Sequence, residues 1–134
     1  MKRGGLLHPQ LIGLIAGLGH GQRLTIADAG LPISSHPQRV DLAVRCGVPS
    51  FSDVLQAVAA ELVVERLIIA SEAAGLPGAP LEAALVSAFG DDQPPREAVG
   101  HEHLKELADG SVAVIRTGEC TPYMNVVLVA GVGF

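Results

Sequence analysis

Apolar residues fall along this chain in two rhythms. Leu11, Leu14, Ile15 and Leu18 recur three and four apart, the spacing that lines one face of a helix. Pro9 suits the first turn of such a helix, which the pattern carries to near Gly19. Leu24-Thr25-Ile26-Ala27 is a run fit for a short buried strand, and Asp28 stands where it stops, before Gly30 and Pro32. Residues Ala29 to Gln38 carry enough Gly, Pro and Ser to read as a loop, and loops of that length are often functional. Arg39 to Arg45 reads as a second short strand or a helical turn. Ser50 is placed to cap the next helix, whose buried stripe is Val54, Leu55, Val58, Ala59 and Leu62. Val63 to Ala70 is a β-branched strand, and Leu81, Ala84, Leu85, Ala88 and Phe89 mark another amphipathic helix. Asp91 to Pro95 is a turn, and the pattern is weakest just beyond it. His101 to Ala108 reads as a short helix ended by Gly110, and Ser111 to Thr117 and Asn125 to Ala130 as two final apolar strands.

Helices alternating with short apolar strands predict one α/β domain over residues 1–134, a three-layer α/β/α arrangement with a mostly parallel central sheet. Too few residues join the last two strands for a crossover helix, so the sheet is expected to be mixed.

Composition narrows the function. Hydrophobic residues make up 49% of the 134 and charged residues only 17%, which leaves little polar cover and predicts a homo-oligomer that hides part of the surface. A net charge of -5 and 3% aromatic residues argue against a nucleic-acid partner. No segment approaches a membrane span, and His8-Pro9 cuts the N-terminal apolar run short of a signal sequence. Two cysteines, Cys46 and Cys120, make no disulfide framework and read as reduced thiols in a cytoplasmic protein.

The chemistry concentrates around Gly19-His20-Gly21 and Asp28. Glycine on both sides leaves the His20 imidazole uncrowded, although a helix-end histidine also simply suits the negative end of the dipole, and on spacing alone that plainer reading carries more weight. Asp before Ala-Gly likewise serves as a common turn residue. An extended Leu24–Ala27 separates His20 from Asp28 by roughly 15 Å or more at about 3.3 Å per residue. For both to touch one small ligand, the chain must fold back or two subunits must share the site. His101 and Lys105, four apart, share one face of their helix, as residues of a solvated face also would. His101 and His103 point apart on a helix and lack a third ligand, so no metal is assigned. His8 and His36 read as surface or cap residues. Tyr123 and Asn125, entering a strand, should face one side and offer uncharged donors and acceptors suited to sugar hydroxyls. Neither a dinucleotide fingerprint nor a phosphate loop is present.

These pieces in this order resemble the D-ribose pyranase family, the ribose branch of the sugar mutarotases that also includes fucose mutarotase. The resemblance runs nearly end to end. It rests on Gly19-His20, Asp28-Ala29-Gly30-Leu31-Pro32-Ile33, Gly47-Val48-Pro49-Ser50-Phe51, the segment from Arg116 to Asn125, and Ala130-Gly131-Val132-Gly133-Phe134. Phe89 to Gly100 departs most, with Pro94-Pro95 where the family carries a β-like stretch. The resemblance implies cofactor-free interconversion of the pyranose and furanose forms of D-ribose in the cytoplasm, as part of D-ribose catabolism. It implies His20 as proton donor, with Asp28, His101, Lys105, Tyr123, Met124 and Asn125 contacting the sugar. It also implies a homodecamer with sites at subunit contacts. The alternatives are a fucose-type mutarotase, whose branch carries histidine after Asp-Ala where Gly30 stands here, and a non-catalytic sugar-binding protein.

Overall fold

Three helices collect on one face of a central sheet, each turning its apolar stripe toward that face. The computed structural model describes residues 1–134. Helix α1 (Pro9–Gly17) starts where Pro9 fits and is capped by the His8 ring, which accepts from Leu11 N–H. Helix α2 (Phe51–Ala59) is capped by Ser50, whose hydroxyl oxygen accepts from Asp53 N–H at 3.0 Å. Helix α3 spans Pro80–Phe89. These pack over Leu24, Ile26, Leu67, Ile69, Ile115, Val126 and Leu128 of the sheet. Phe51, Leu55 and Val58 are fully buried there, and each such side chain contributes roughly 1.5–3 kcal/mol. The opposite face is covered by the remaining helix α4 (His101–Asp109), through Leu104 and Ala108, and by Leu31 from the long loop. The three-layer α/β expectation is borne out, with the layers unequal.

The sheet has six strands: β1 (Arg23–Ala27), β2 (Gln38–Asp41), β3 (Val64–Ala70), β4 (Arg96–Val99), β5 (Ala113–Arg116) and β6 (Val126–Ala130), in the order β2-β5-β1-β6-β3-β4. Neighbours pair in parallel except around β6, which runs antiparallel to both β1 and β3. The expected irregular connection is therefore the one from β5 to β6. Alternation along the central strands feeds both cores: Val126 and Leu128 face the three helices, while Val127 and Val129 face α4.

Three local features differ from the sequence reading. Arg39 to Arg45 contributes β2 over its first part and no helix. The weak stretch after Pro95 holds β4, an exposed edge strand that takes its place through the ladder with β3 rather than through apolar burial. Cys46 and Cys120, expected as reduced thiols, are paired across 74 residues with Cα atoms 5.7 Å apart. Their approach follows from backbone bonds, Gly47 N–H to Gly118 O at 2.6 Å and Gly118 N–H to Pro49 O at 2.9 Å. A Cβ at Gly118 would collide with the carbonyl oxygens of Arg45 and Val48, so only glycine permits this contact.

Candidate functional site

Five strands point their carboxyl ends to the same rim, and ligands of open α/β sheets gather at such rims. A cavity of about 540 Å³ opens there. Its walls are the turn after β1 (Asp28 to Leu31), the first residue of α4 (His101) and the β5–β6 connection (Glu119 to Tyr123). Sequence reasoning placed Asp28, His101 and Tyr123 in one site, and the fold brings those three together.

Asp28 is locked from several sides. Its backbone N–H donates to Asn125 Oδ1 at 2.8 Å, and Asn125 Nδ2 donates back to Asp28 Oδ2 at 2.8 Å. The other carboxylate oxygen accepts from Gly30 N–H at 2.9 Å, closing an Asx turn. Asp28 is 7% exposed and Asn125 is fully buried, so the pair has little competition from water. A buried amide of this kind satisfies one backbone group and one carboxylate at once, and removing it strands both. Asn125 thus holds Asp28 rather than lining the cavity.

His101 opens α4. Its backbone N–H donates to both carboxylate oxygens of Glu72, each at 3.1 Å, and this backbone hydrogen bond holds the Glu72 carboxyl below its usual range. The acidic group also suits the positive end of the helix dipole. The His101 ring meets Tyr123 edge-to-face, with centroids 5.0 Å apart and planes at 86°. Its Nδ1 is buried without a hydrogen-bond partner in the chain, an unmet polar group beside the cavity.

Tyr123 corrects the expectation that residues 123 and 125 share a strand face. The strand starts only at Val126, and Tyr123 sits at φ 65°. Bulky residues seldom occupy that left-handed region, and such strain concentrates at functional sites. The turn it makes sends the phenol ring into the cavity while Asn125 goes into the protein. Met124 between them is buried in the core beneath the three helices, so only its backbone is near the site. Lys105 donates to Glu102 at 2.8 Å and does not line the cavity. That hydrogen bond and the ammonium charge hold the exposed Glu102 carboxyl below its usual range.

His20 is absent from the cavity. It precedes β1 and stands at the opposite rim, with its side chain 63% exposed and its Nε2 2.7 Å from Glu65 Oε2. Sequence reasoning did not single out Glu65 or Glu72. Both lie distant in sequence from the histidines they meet, and neither spacing nor composition reports contacts 45 and 29 residues apart. No cluster of three or more His, Cys, Asp or Glu side chains is arranged to hold a metal ion.

Comparison with known proteins gives this arrangement its context. The model of the RbsD / FucU transport protein family matches residues 1–133. A D-ribose pyranase of Variovorax paradoxus (strain S110) is 53% identical over 135 residues, with all of both chains covered. Another from Paracidovorax citrulli (strain AAC00-1) is 48% identical over 134 residues, again with both chains fully covered. Among solved structures, Bacillus subtilis RbsD complexed with D-ribose matches with a TM-score of 0.89 at 39% identity, over 100% of each chain. A fucose mutarotase from Streptococcus pneumoniae, in complex with L-fucose, shares the fold with a TM-score of 0.75 at 19% identity, over 95% of this chain and 94% of that one.

Proposed function

Because the chain belongs to the RbsD / FucU transport protein family, we propose that it is an isomerase interconverting the pyranose and furanose forms of D-ribose. The observation that carries this reading is its full-length kinship with D-ribose pyranases, at 53% identity to one of them. The cavity at Asp28 agrees with it in chemistry: a carboxylate, an imidazole and a phenol line it and suit the hydroxyls of a small sugar.

The reaction needs one acid and one base. Protonation of the ring oxygen, with loss of the anomeric hydroxyl proton, breaks the bond between that oxygen and C1 and leaves an open-chain aldehyde. Attack on C1 by the neighbouring hydroxyl closes the other ring size, and the protons return. Histidine exchanges protons readily near neutral pH. In this reading His20 is the acid at the ring oxygen. Asp28 orients or deprotonates a hydroxyl, His101 and Tyr123 fix the sugar, Asn125 holds Asp28, and the backbone at Met124 completes the wall. Lys105 reaches the sugar only by releasing Glu102. No cofactor enters any step.

His20 and Asp28 stand on opposite rims of one sheet, so a complete site takes His20 from a neighbouring copy. Exposed Val63, Val132 and Phe134 lie in the segments around His20 and Glu65, an apolar surface for such a neighbour. The reading extends to a homodecamer with sites at subunit contacts, working in the cytoplasm on D-ribose entering catabolism. No helix is long and apolar enough to cross a membrane.

NMR saturation transfer between the pyranose and furanose anomeric signals of D-ribose tests the reading. Exchange should quicken with the protein and return to the uncatalysed rate with His20→Asn. Ribose binding without faster exchange would reduce the protein to a sugar-binding module.

A further inference from the structure

The Gly131 segment and the start of β3 have no part in the reaction as described, yet they converge on His20. We propose that Glu65 is the positioning residue of the proton donor: its carboxylate holds His20 Nε2–H, so that Nδ1 is the nitrogen that trades a proton with the sugar. This inference rests on the reading of His20 as the acid.

The contact itself is short, 2.7 Å between Nε2 and Oε2. An ionised carboxylate only accepts, so it fixes the proton on Nε2 and leaves Nδ1 as the other, exchangeable position. During ring opening Nδ1–H passes its proton to the ring oxygen and recovers it on closure. The Nε2–H bond stays in place throughout, and no net proton is gained or lost.

The backbone around the pair is built for that contact. The β3–β6 register jumps from Val64↔Ala130 to Arg66↔Val129, which leaves Glu65 as the extra residue of a bulge. Bulges re-aim a side chain, commonly next to active sites. Gly131 seats the bulge: its N–H donates to Val63 O at 2.8 Å, and a Cβ there would press to 3.2 Å on both Glu65 Cβ and Val63 Cγ1. The His20 loop hangs from the same strand end, through Gly21 N–H to Ala130 O and Ala130 N–H to Gln22 O, each at 2.8 Å. Histidine and glutamate are thus both referenced to the end of β6. With side chains 63% and 42% exposed, the pair contributes little to stability, so a merely structural purpose does not account for it.

The test uses the full-length protein with His20→Asn, Glu65→Ala and Glu65→Gln. Saturation transfer over a range of ribose concentrations should show Glu65→Ala lowering kcat at least tenfold with KM within about twofold. That is a fraction of the roughly 10²–10⁴-fold a placed acid supplies. Glu65→Gln should recover part of the loss, since its amide oxygen still accepts from Nε2–H. In ¹⁵N-histidine spectra, assigned by the missing signals of His20→Asn, neutral wild-type His20 should be the Nε2–H tautomer and Glu65→Ala should show a mixture. Full kcat or an unchanged tautomer in Glu65→Ala, with His20→Asn inactive, would overturn this inference alone. Undiminished exchange in His20→Asn would overturn the reading of His20 as well.

Discussion

The two ends of β1 are built on opposite plans. At the carboxyl end, Asp28 is nearly buried and interlocked with Asn125 and Gly30, inside a walled cavity. At the amino end, His20 projects from a glycine-flanked loop with a single side-chain partner. Precision at the proposed sugar site comes from burial and doubled hydrogen bonds. Freedom at the proposed proton donor comes from exposure and one directional contact. The two ends should therefore fail in different ways when altered, one through stability and binding and the other through rate.

The sharpest separation comes from His20→Asn, expected to lower the ring-exchange rate by about 10²–10⁴-fold. It should leave ribose affinity, read by calorimetry, nearly intact. Its unfolding free energy should stay within about 0.5 kcal/mol of wild type, as for exposed positions generally. A loss of stability comparable to the loss of rate would erase the distinction between the two ends. Asn125→Ala is the mirror case. It strands a buried carboxylate oxygen and a backbone N–H, so urea unfolding should show a loss of about 2–4 kcal/mol, accompanied by weakened ribose binding.

The smallest effect is one of pH and sharpens the picture at the cavity end. The His101 N–H holds the Glu72 carboxyl below its usual value of 4.5. Its contribution is complete above that value, where the unfolded chain is also ionised. It is lost as pH falls through the lower folded value. Acid titration should therefore loosen the first turn of α4 only below the ordinary glutamate range, seen as a shift of the His101 amide resonance. Glu72→Gln should remove that step and leave the amide insensitive over the same interval.

How much of this was legible beforehand depended on how local each cause is. Ser50 capping α2 and His8 capping α1 act within three residues, and the β6 alternation is written into five consecutive apolar side chains. Strand β4 was not legible because Arg96-Glu97-Ala98-Val99 is mostly exposed and buries no stripe. Its ladder to β3 holds it in place, with the exposed ion pairs Arg66–Glu97 and Arg96–Glu82 adding little. In the site, Asp28 was found from its position at a strand end. The role of Asn125 was hidden because its bond spans 97 residues and the left-handed turn at Tyr123 reverses which of the two faces the cavity.

The outer strands carry a consequence for the proposed meeting of copies of this chain. Beta2 presents Gln38, Arg39 and Asp41 outward, and β4 presents Arg96 and Glu97. Part of this charge is already committed, with Arg116 on Asp41 and Glu82 on Arg96, and the Asp41 carboxyl, despite some desolvation, is held below its usual range by Ala43 N–H and Arg116. An incoming strand would have to break those pairs and dehydrate the ions before making its first ladder bond. The two edges of the sheet are therefore poor templates for a neighbour's strand. In the proposed assembly, copies meet instead at the tips of the strands, where Asp28 stands on one side and His20 on the other.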